Sequence, residues 1–186
     1  MSTYRLDTVD EYGHQPTDDS NFNESVYVNG WDPEQKMGLW MRLGNRVNEG
    51  HAELSVCIYL PDGRVACQFL RPNIDTNERH SAGGLDYQVQ EPFKAVSMTY
   101  SGEAMILEDP QILREARKMF KTAPRVPAEV SLNLAGLSPM NGGEPTEPDT
   151  ETMYGRDFSI GHFNQHTRIQ GKITLGEESW DLNGFG

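Results

Sequence analysis

Two histidines separated by three residues have a spacing that metal sites use. His162 and His166 stand four positions apart, and on a helix this spacing places both imidazoles on one face. The surrounding residues alternate in polarity and are rich in Thr, Asn and Gly, which favours a strand. Four strand residues span about 13 Å, too far for two ligands of one ion unless a bulge shortens the path. The sequence therefore predicts no metal site.

Two carboxylates stand where a strand could carry a general acid. Glu24 begins an apolar stretch, and Asp157 stands beside another. A carboxyl group buried in an apolar pocket has a raised pKa and can donate a proton near neutral pH. An ordinary carboxylate at the end of a strand is the alternative for both.

Four side chains with aromatic or basic groups could line a binding pocket. They are Trp40, Arg42, Tyr59 and Tyr100. Together they would give an amphipathic wall with a few polar groups, as small-molecule sites have. The alternative is that they belong to the core or to a sheet surface. If they line a pocket, we expect a hydrophobic small molecule as its ligand.

Composition excludes several classes of protein. The chain has 186 residues, enough for one domain, and its 28 acidic and 16 basic side chains give a net charge of −12. This charge repels nucleic acid and anionic membranes. The sequence has no apolar run of the roughly 20 residues that a membrane helix needs, and no secretory signal at its N-terminus. Composition therefore predicts an acidic, cytoplasmic protein. Phosphate-binding and dinucleotide-binding motifs are also absent from the sequence.

Alternating polarity predicts an all-β protein. We interpret residues 1–22 as an acidic tail and 23–186 as one antiparallel lipocalin-like barrel or sandwich. In 36–43 the apolar positions are Met37, Leu39, Met41 and Leu43. Residues 110–121 have helical spacing after an Asp109-Pro110 start, which predicts one amphipathic helix with a basic face. That face could be a solvated surface or could receive an acidic partner. Residues 138–150 are expected to form a surface loop.

Turn dipeptides predict three hairpins. A two-residue loop at Asp62-Gly63 would pair Ile58 with Cys67 and place Cys57 on the opposite face, so that the two thiols stay free. Ser101-Gly102 is expected to be a second two-residue turn. Gly176-Glu177 would be the third, pairing Ile173 with Trp180 and Lys172 with Asp181.

Several short segments, taken in order, resemble one known family. They are Asn23-Glu24-Ser25, Arg42-Leu43-Gly44-Asn45-Arg46, Asn48-Glu49-Gly50, Tyr59-Leu60-Pro61-Asp62-Gly63-Arg64, Glu91-Pro92-Phe93, Leu107-Glu108-Asp109-Pro110 and Asp181-Leu182-Asn183-Gly184-Phe185-Gly186. This order is similar to that of uncharacterised bacterial proteins related to hydroxyneurosporene synthase (carotenoid 1,2-hydratase), a group that includes lipocalin-like cyclases. The resemblance covers about residues 21–186.

The resemblance implies a tandem of two lipocalin-like β domains and a cofactor-independent reaction on an apolar substrate such as a terpenoid or polyketide. In the hydratases, a carbon–oxygen lyase reaction adds water across a double bond. In the family, a Gly-aromatic-Gly segment leads into a stretch that carries an acid and an imidazole. The matching segment of this sequence is its last, Gly184-Phe185-Gly186, so the acid and the imidazole have no matching positions in this sequence. Glu24 and His162 remain as local candidates for catalysis.

Three functions are therefore open: the N-terminal domain of a hydratase-, cyclase- or isomerase-like protein, a non-catalytic carrier of a hydrophobic ligand, or a structural domain supporting a second barrel. In the Gly176-Glu177 hairpin, the second strand is too short to pair with residues 162–167 of the first strand. Exposed strand edges associate with other strands. We therefore expect a second β domain or a homodimer to pair there.

Overall fold

The computed structural model describes residues 4–147 and 158–186, whose regular secondary structure is mostly antiparallel strand. The strands are β1 (Tyr4–Arg5), β2 (Glu24–Asp32), β3 (Met37–Arg46), β4 (His51–Tyr59), β5 (Val65–Leu70), β6 (His80–Ala82), β7 (Leu85–Glu91), β8 (Ala95–Leu107), β9 (Arg125–Gly136), β10 (Asn141–Pro145), β11 (His162–Asn164), β12 (Thr167–Leu175) and β13 (Glu178–Phe185). The helix α1 is Ala116–Thr122, and 3-10 turns occupy Thr8–Glu11, Val47–Glu49 and Pro110–Glu115.

Eight of these strands close into a lipocalin-like barrel, as the sequence predicts. Their order is β5, β4, β3, β2, β13, β12, β9 and β8, and β8 then pairs with β5 again. The hairpin β6–β7 extends the sheet beyond β8. The join between β2 and β13 is narrow, with Trp31 opposite Phe185. The Asp32 carboxylate reinforces it by accepting a hydrogen bond from the Asn183 backbone N–H at 2.8 Å.

Side chains fill the inside of the barrel. The predicted inward positions of β3, namely Met37, Leu39, Met41 and Leu43, are all buried. Further large core side chains that are fully buried are Leu54, Ile58, Leu85, Met98, Tyr100 and Leu132. Successive side chains of a strand point to opposite faces, so the residues that alternate with the core residues lie on the outer surface of the barrel.

The predicted amphipathic helix lies on the outside of the barrel. Its first part is a 3-10 turn, and the Asp109 carboxylate accepts a hydrogen bond from the Gln111 N–H at 2.9 Å. Met119 is buried against Cys67 and Met105 of the barrel wall. The strands β4, β5 and β8 are therefore covered on both faces along this part.

The prediction for the Asp62-Gly63 hairpin is wrong by one residue. Tyr59 pairs with Val65, and the Leu60 N–H donates to the Arg64 carbonyl at 2.9 Å. Pro61 explains the shift, because its fixed φ suits the first central position of a turn, which moves Gly63 to a left-handed position with φ 93°.

This register corrects the predicted placement of the two thiols on opposite faces, while the prediction that both are free is confirmed. Cys57 stands directly opposite Cys67, and both are buried free cysteines. The register also places Gln68 opposite Val56, on a face that the sequence pattern predicts to be apolar. Gln68 is tolerated there because its amide donates to the Glu103 carbonyl at 3.1 Å.

The predicted turn at Ser101-Gly102 is also wrong, since β8 runs through it without a break. Continuous pairing with β9 from Ala95 to Met105 outweighs the local turn preference. Residues 138–150, predicted as a loop, include the strand β10. The Gly176-Glu177 hairpin is confirmed, with Ile173 opposite Trp180 and Lys172 opposite Asp181.

A small sheet orders the two segments for which the sequence indicated little structure. Its strands are β1, β10 and β11. The segment interpreted as an acidic tail thus contributes β1 and a 3-10 turn. His162 pairs with Gly143, and the Thr167 N–H donates to the Gly186 carbonyl at 2.7 Å. The strand near 162–167 therefore has partners within the chain, and β11 stands at one end of the strand order of this small sheet.

Candidate functional site

Five aromatic side chains lie together on the outer surface of the barrel, and we call this surface the aromatic face. Its members are Tyr27, Trp31, Trp40, Tyr59 and Phe185. They come from four strands that are neighbours in the barrel, β13, β2, β3 and β4. Since the inward positions of these strands hold the core, the alternation places the rings outside.

Cross-strand register makes these rings neighbours. Trp31 stands opposite both Phe185 and Gly38, and Gly38 stands opposite Tyr59. A Cβ atom at Gly38 would lie 3.2 Å from the Trp31 ring and 3.3 Å from the Tyr59 ring. The glycine therefore leaves room for both rings to lie over the β3 backbone.

Further contacts join the rings into one surface. The ring centroids of Tyr27 and Trp40 are 6.2 Å apart, a distance at which aromatic pairs attract. The Trp40 indole Nε1–H donates to the Tyr59 hydroxyl at 3.1 Å. The Arg168 guanidinium lies 5.7 Å from the centroid of the Phe185 ring. The orientation of the face is thus fixed by the barrel itself.

A large part of this surface is exposed to solvent. The exposed fractions are 56% for Tyr27, 51% for Trp31, 44% for Tyr59 and 54% for Phe185. Since an aromatic residue can bury 150–250 Å², these four expose about 400 Å² together. Patches of this size on soluble proteins often mark binding surfaces.

Arg42, predicted as a ligand-binding residue, lies beside the aromatic face. Its guanidinium donates to Asn23 Oδ1 at 3.1 Å and lies 3.5 Å from a Glu53 carboxylate oxygen. It borders an open hollow of about 340 Å³ whose lining includes Glu53 and Phe69. The structure thus brings Trp40, Arg42 and Tyr59 to one outer surface.

Tyr100 lies apart from them, inside the barrel. It is 1% exposed, and its hydroxyl donates to the Glu103 carbonyl at 2.8 Å. Burial raises its pKa. Its role is to fill the core, as its neighbours Met98 and Leu132 do.

Glu24 belongs to a second group of residues at one end of the barrel, the Glu24 cluster, which consists of Asp10, His14, Glu24, Asn77 and His80. The Glu24 carboxylate accepts hydrogen bonds from the His14 backbone N–H at 2.8 Å and from the Asn77 amide at 2.6 Å, and His14 Nδ1 contacts its other oxygen. His14 Nε2 lies 3.2 Å from an Asp10 carboxylate oxygen. One imidazole therefore joins two carboxylates.

Electrostatics in the Glu24 cluster favours charged forms. Hydrogen bonding to Glu24, and then to Asp10, raises the pKa of His14 to about 9 although burial opposes this. Burial works against the charge of Glu24, but the bonds from His14 and Asn77 hold its pKa below its usual value. At neutral pH the pair is an imidazolium and a carboxylate, so Glu24 lacks the proton that a general acid needs.

The same cluster contains buried polar atoms without a partner among the described residues. They are His80 Nε2 and Asn77 Oδ1, with Asn45 Oδ1 on the strand paired to Glu24. Burial lowers the pKa of His80. Atoms of this kind are normally satisfied by buried water. The cluster fastens the N-terminal segment to the barrel, and nothing in its geometry aims a proton donor at a cavity.

The other residues considered for chemistry lie elsewhere. His162 is in the small sheet, and both His162 and His166 are exposed. Asp157 lies outside the described residues. Within 4–147 and 158–186, no group of three or more His, Cys, Asp or Glu side chains could hold a metal ion. None of the described helices is long and apolar enough to span a membrane.

Comparison with known proteins places the chain in a family. A family model described as a domain of unknown function, DUF7064, matches residues 7–186. The chain belongs to the DUF7064 family. No curated protein and no solved structure matches it. The match to this DUF7064 domain includes all residues of the aromatic face and of the Glu24 cluster, so both lie within the matched range.

Sequence reasoning missed several residues of this DUF7064 domain that the structure brings to the two sites. Asp10 and His14 fell in the segment interpreted as a tail, because the segment lacks apolar periodicity. Tyr27 and Trp31 offered a signal: they alternate with Val26 and Val28, so β2 is apolar on both faces. A strand with two apolar faces is covered on both or carries an exposed patch.

Proposed function

We propose that this domain is a non-catalytic β domain of a protein related to the cofactor-independent hydratases and cyclases that its sequence resembles. Its contribution is to bind a second β domain through the aromatic face. The active site of such a protein then lies outside residues 4–186. The aromatic face, exposed and held in place by the barrel, is the observation that carries this proposal.

The filled interior of the barrel supports a binding role for its outer surface. Lipocalin-like carriers and enzymes bind ligands in a space within the barrel, and such pockets have volumes of about 300–1,000 Å³. Here methionine, leucine and tyrosine side chains occupy the inward positions. A carrier of a hydrophobic ligand would need several of them to move at once.

The size and shape of the aromatic face support a protein partner. A stable interface buries about 800 Å² on each side, with an apolar centre and a polar rim. The exposed aromatic area supplies about half of this, and Arg42, Glu53 and Arg168 lie around it. Tyr and Trp are also the residues most enriched among those that dominate binding energy. A sheet face of this kind packs well on another sheet face.

The Glu24 cluster supports a non-catalytic role in a second way. Both ring nitrogens of His14 face carboxylates, and both His14 and Glu24 are charged at neutral pH. Neither group is left available for a substrate. We therefore assign the cluster to stability, and the hydratase-like reaction remains a prediction for the larger protein.

The proposal is tested by sedimentation velocity of the isolated chain, in which a second copy takes the place of the partner domain. Wild type should associate between about 1 and 100 µM, because mass action fills the exposed face. The double variant Trp31→Ser, Tyr59→Ser should stay monomeric. Leu137→Ser, which removes an exposed apolar side chain elsewhere, is the matched control and should associate like wild type.

A third variant separates the aromatic face from the strand edge of β11. Asn164→Pro would disturb pairing along that edge and leaves the aromatic face unchanged. If this variant is monomeric while the double aromatic variant still associates, the edge and not the face is the interface. A wild-type chain that stays monomeric throughout would contradict the proposal.

A further inference from the structure

The outer surface of the helical segment 110–122 carries a charge opposite to that of the whole chain. Its four cations, Arg114, Arg117, Lys118 and Lys121, are exposed. They are a quarter of the 16 basic residues, in a protein with a net charge of −12. We call these four residues the basic patch.

The basic patch points away from the barrel. Met119 is buried on the barrel wall together with the partly buried Ile112 and Ala123. Helical spacing then places the cations on the remaining surface. Lys118 lies 3.4 Å from Glu115, and this is the one ion pair that the described residues show for the patch. Three of its cations are therefore available to a partner.

Apolar groups border the same surface. Leu113 is 40% exposed and Phe120 is 43% exposed. The Phe120 ring meets Phe69 edge-on at 6.4 Å, so its position is fixed by the barrel. An open hollow of about 600 Å³ is lined by Glu115, Ala116, Arg117, Lys118, Lys121 and Thr122. The segment therefore presents cations together with two exposed apolar side chains, Leu113 and Phe120, that an apolar side chain of a partner can contact.

We propose that the basic patch binds a short acidic peptide segment that carries an apolar side chain. The positive charge of the patch favours an anionic partner. The short range of electrostatic interactions in salt favours a short partner. Charges are screened beyond about 8–10 Å at physiological salt, so a short peptide senses mainly the local cations. A membrane or a nucleic acid is an extended polyanion that also faces the acidic remainder of the chain.

The length of the segment sets the length of the peptide. At about 2.0 and 1.5 Å per residue, the 3-10 turn Pro110–Glu115 and the helix Ala116–Thr122 are about 12 and 10 Å long, so together they extend over at most about 22 Å. An extended peptide rises about 3.3 Å per residue, so about six or seven residues span it. This is the size of a linear motif in a disordered segment of a partner protein.

The test uses a fluorescein-labelled peptide, DEDLDEF, and fluorescence anisotropy with the full chain. We expect saturable binding that weakens when salt is raised from about 50 to 200 mM. The peptide NQNLNQF, without charge, and DEDSDES, without apolar anchors, should bind more weakly. Equal binding of DEDSDES would overturn the part of the proposal that concerns the apolar anchor.

Matched variants show whether the basic patch is the site. The triple variant Arg114→Gln, Arg117→Gln, Lys121→Gln should lose about tenfold in affinity, since each exposed ion pair contributes a fraction of this. The control variant Lys36→Gln, Arg71→Gln, Lys172→Gln removes the same net charge elsewhere and should change the affinity less than about twofold. Circular dichroism verifies that both remain folded.

Two further probes cover the other anionic partners. Vesicles of phosphatidylserine and phosphatidylcholine, and a short DNA duplex, are titrated under the same conditions. Tighter, patch-dependent binding of either would overturn the choice of an acidic peptide. Equal loss in the patch and control variants, or no binding of DEDLDEF at low salt, would overturn the proposal itself.

Discussion

Protonation of His14 should make the stability of this domain depend on pH in a defined window. In the folded chain His14 keeps its proton up to a pKa of about 9, against 6.5 for an ordinary histidine. A raised pKa in the folded state contributes stability that is fully present below pH 6.5. This contribution is lost as the pH rises from 6.5 to about 9.

The structure sets the size of this effect. Each unit of pKa difference corresponds to about 1.4 kcal/mol, which would give about 3 kcal/mol for a fully buried group. The His14 side chain is 34% exposed, so water screens the interaction. After this correction we expect about 1–2 kcal/mol from the contacts with Glu24 and Asp10.

The assay is urea unfolding of wild type, His14→Ala and the control His166→Ala at pH 6 and pH 9. The free energy of unfolding lost in His14→Ala should be about 1–2 kcal/mol larger at pH 6 than at pH 9. His80 has a lowered pKa that gives a rise in stability as the pH approaches 6.5. Comparing variant with wild type removes most of this slope, because burial lowers that pKa more than the charge of His14 does. A loss that is equal at the two pH values would refute the assignment of His14 as a charged clamp.

Three further predictions concern the barrel wall and core. Burial raises the pKa of Cys67 to about 12 and also raises that of Cys57. At pH 8 both thiols should therefore react slowly with a disulfide reagent in the folded protein and at once in denaturant. Fast reaction of both thiols in the folded protein would count against this packing. A Cβ at Gly171 would lie 2.0 Å from the Ser131 carbonyl oxygen. Gly171→Ala should therefore lower the free energy of unfolding in urea by about 1–3 kcal/mol. An unchanged unfolding midpoint would show that β9 can move away. Leu132 is fully buried. Leu132→Ala should therefore lower the free energy of unfolding by about 2–5 kcal/mol without changing the circular dichroism spectrum, and a loss below about 1 kcal/mol would contradict a filled interior.

Much of the fold could be predicted because local patterns and tertiary packing agree. Met37, Leu39 and Met41 are inward as their alternation indicates, and the Gly176-Glu177 turn has no competing signal beside it. At Asp62-Gly63 two turn signals compete, and Pro61 decides between them. The register error followed from a second assumption, that each strand has one apolar face. Strand β5 is covered on both faces, which only the packing of the helix reveals.

The candidate sites were harder to predict because they depend on residues far apart in sequence. Phe185 meets Trp31 only when the barrel closes between β13 and β2. His14 reaches Glu24 only because the N-terminal segment packs on the barrel, and polar residues without periodicity give no signal of that packing. Trp40, Arg42, Tyr59 and Tyr100 were predicted as one pocket wall from their residue types, and the structure brings the first three to one surface because β3 and β4 are adjacent strands. Their outward orientation follows from the filled core and changes their proposed partner from an enclosed ligand to a second domain.

Hydroxyl-radical footprinting with mass spectrometry tests most directly whether the aromatic face is the binding surface. The chain is oxidised at low and at high concentration, and the modification of individual side chains is compared. We predict that Tyr27, Trp31, Tyr59 and Phe185 lose reactivity together as the chain associates, while the core residue Tyr100 stays unreactive at both concentrations. Association in which these four side chains keep their reactivity, and Phe163 beside the β11 edge loses it, would contradict the account.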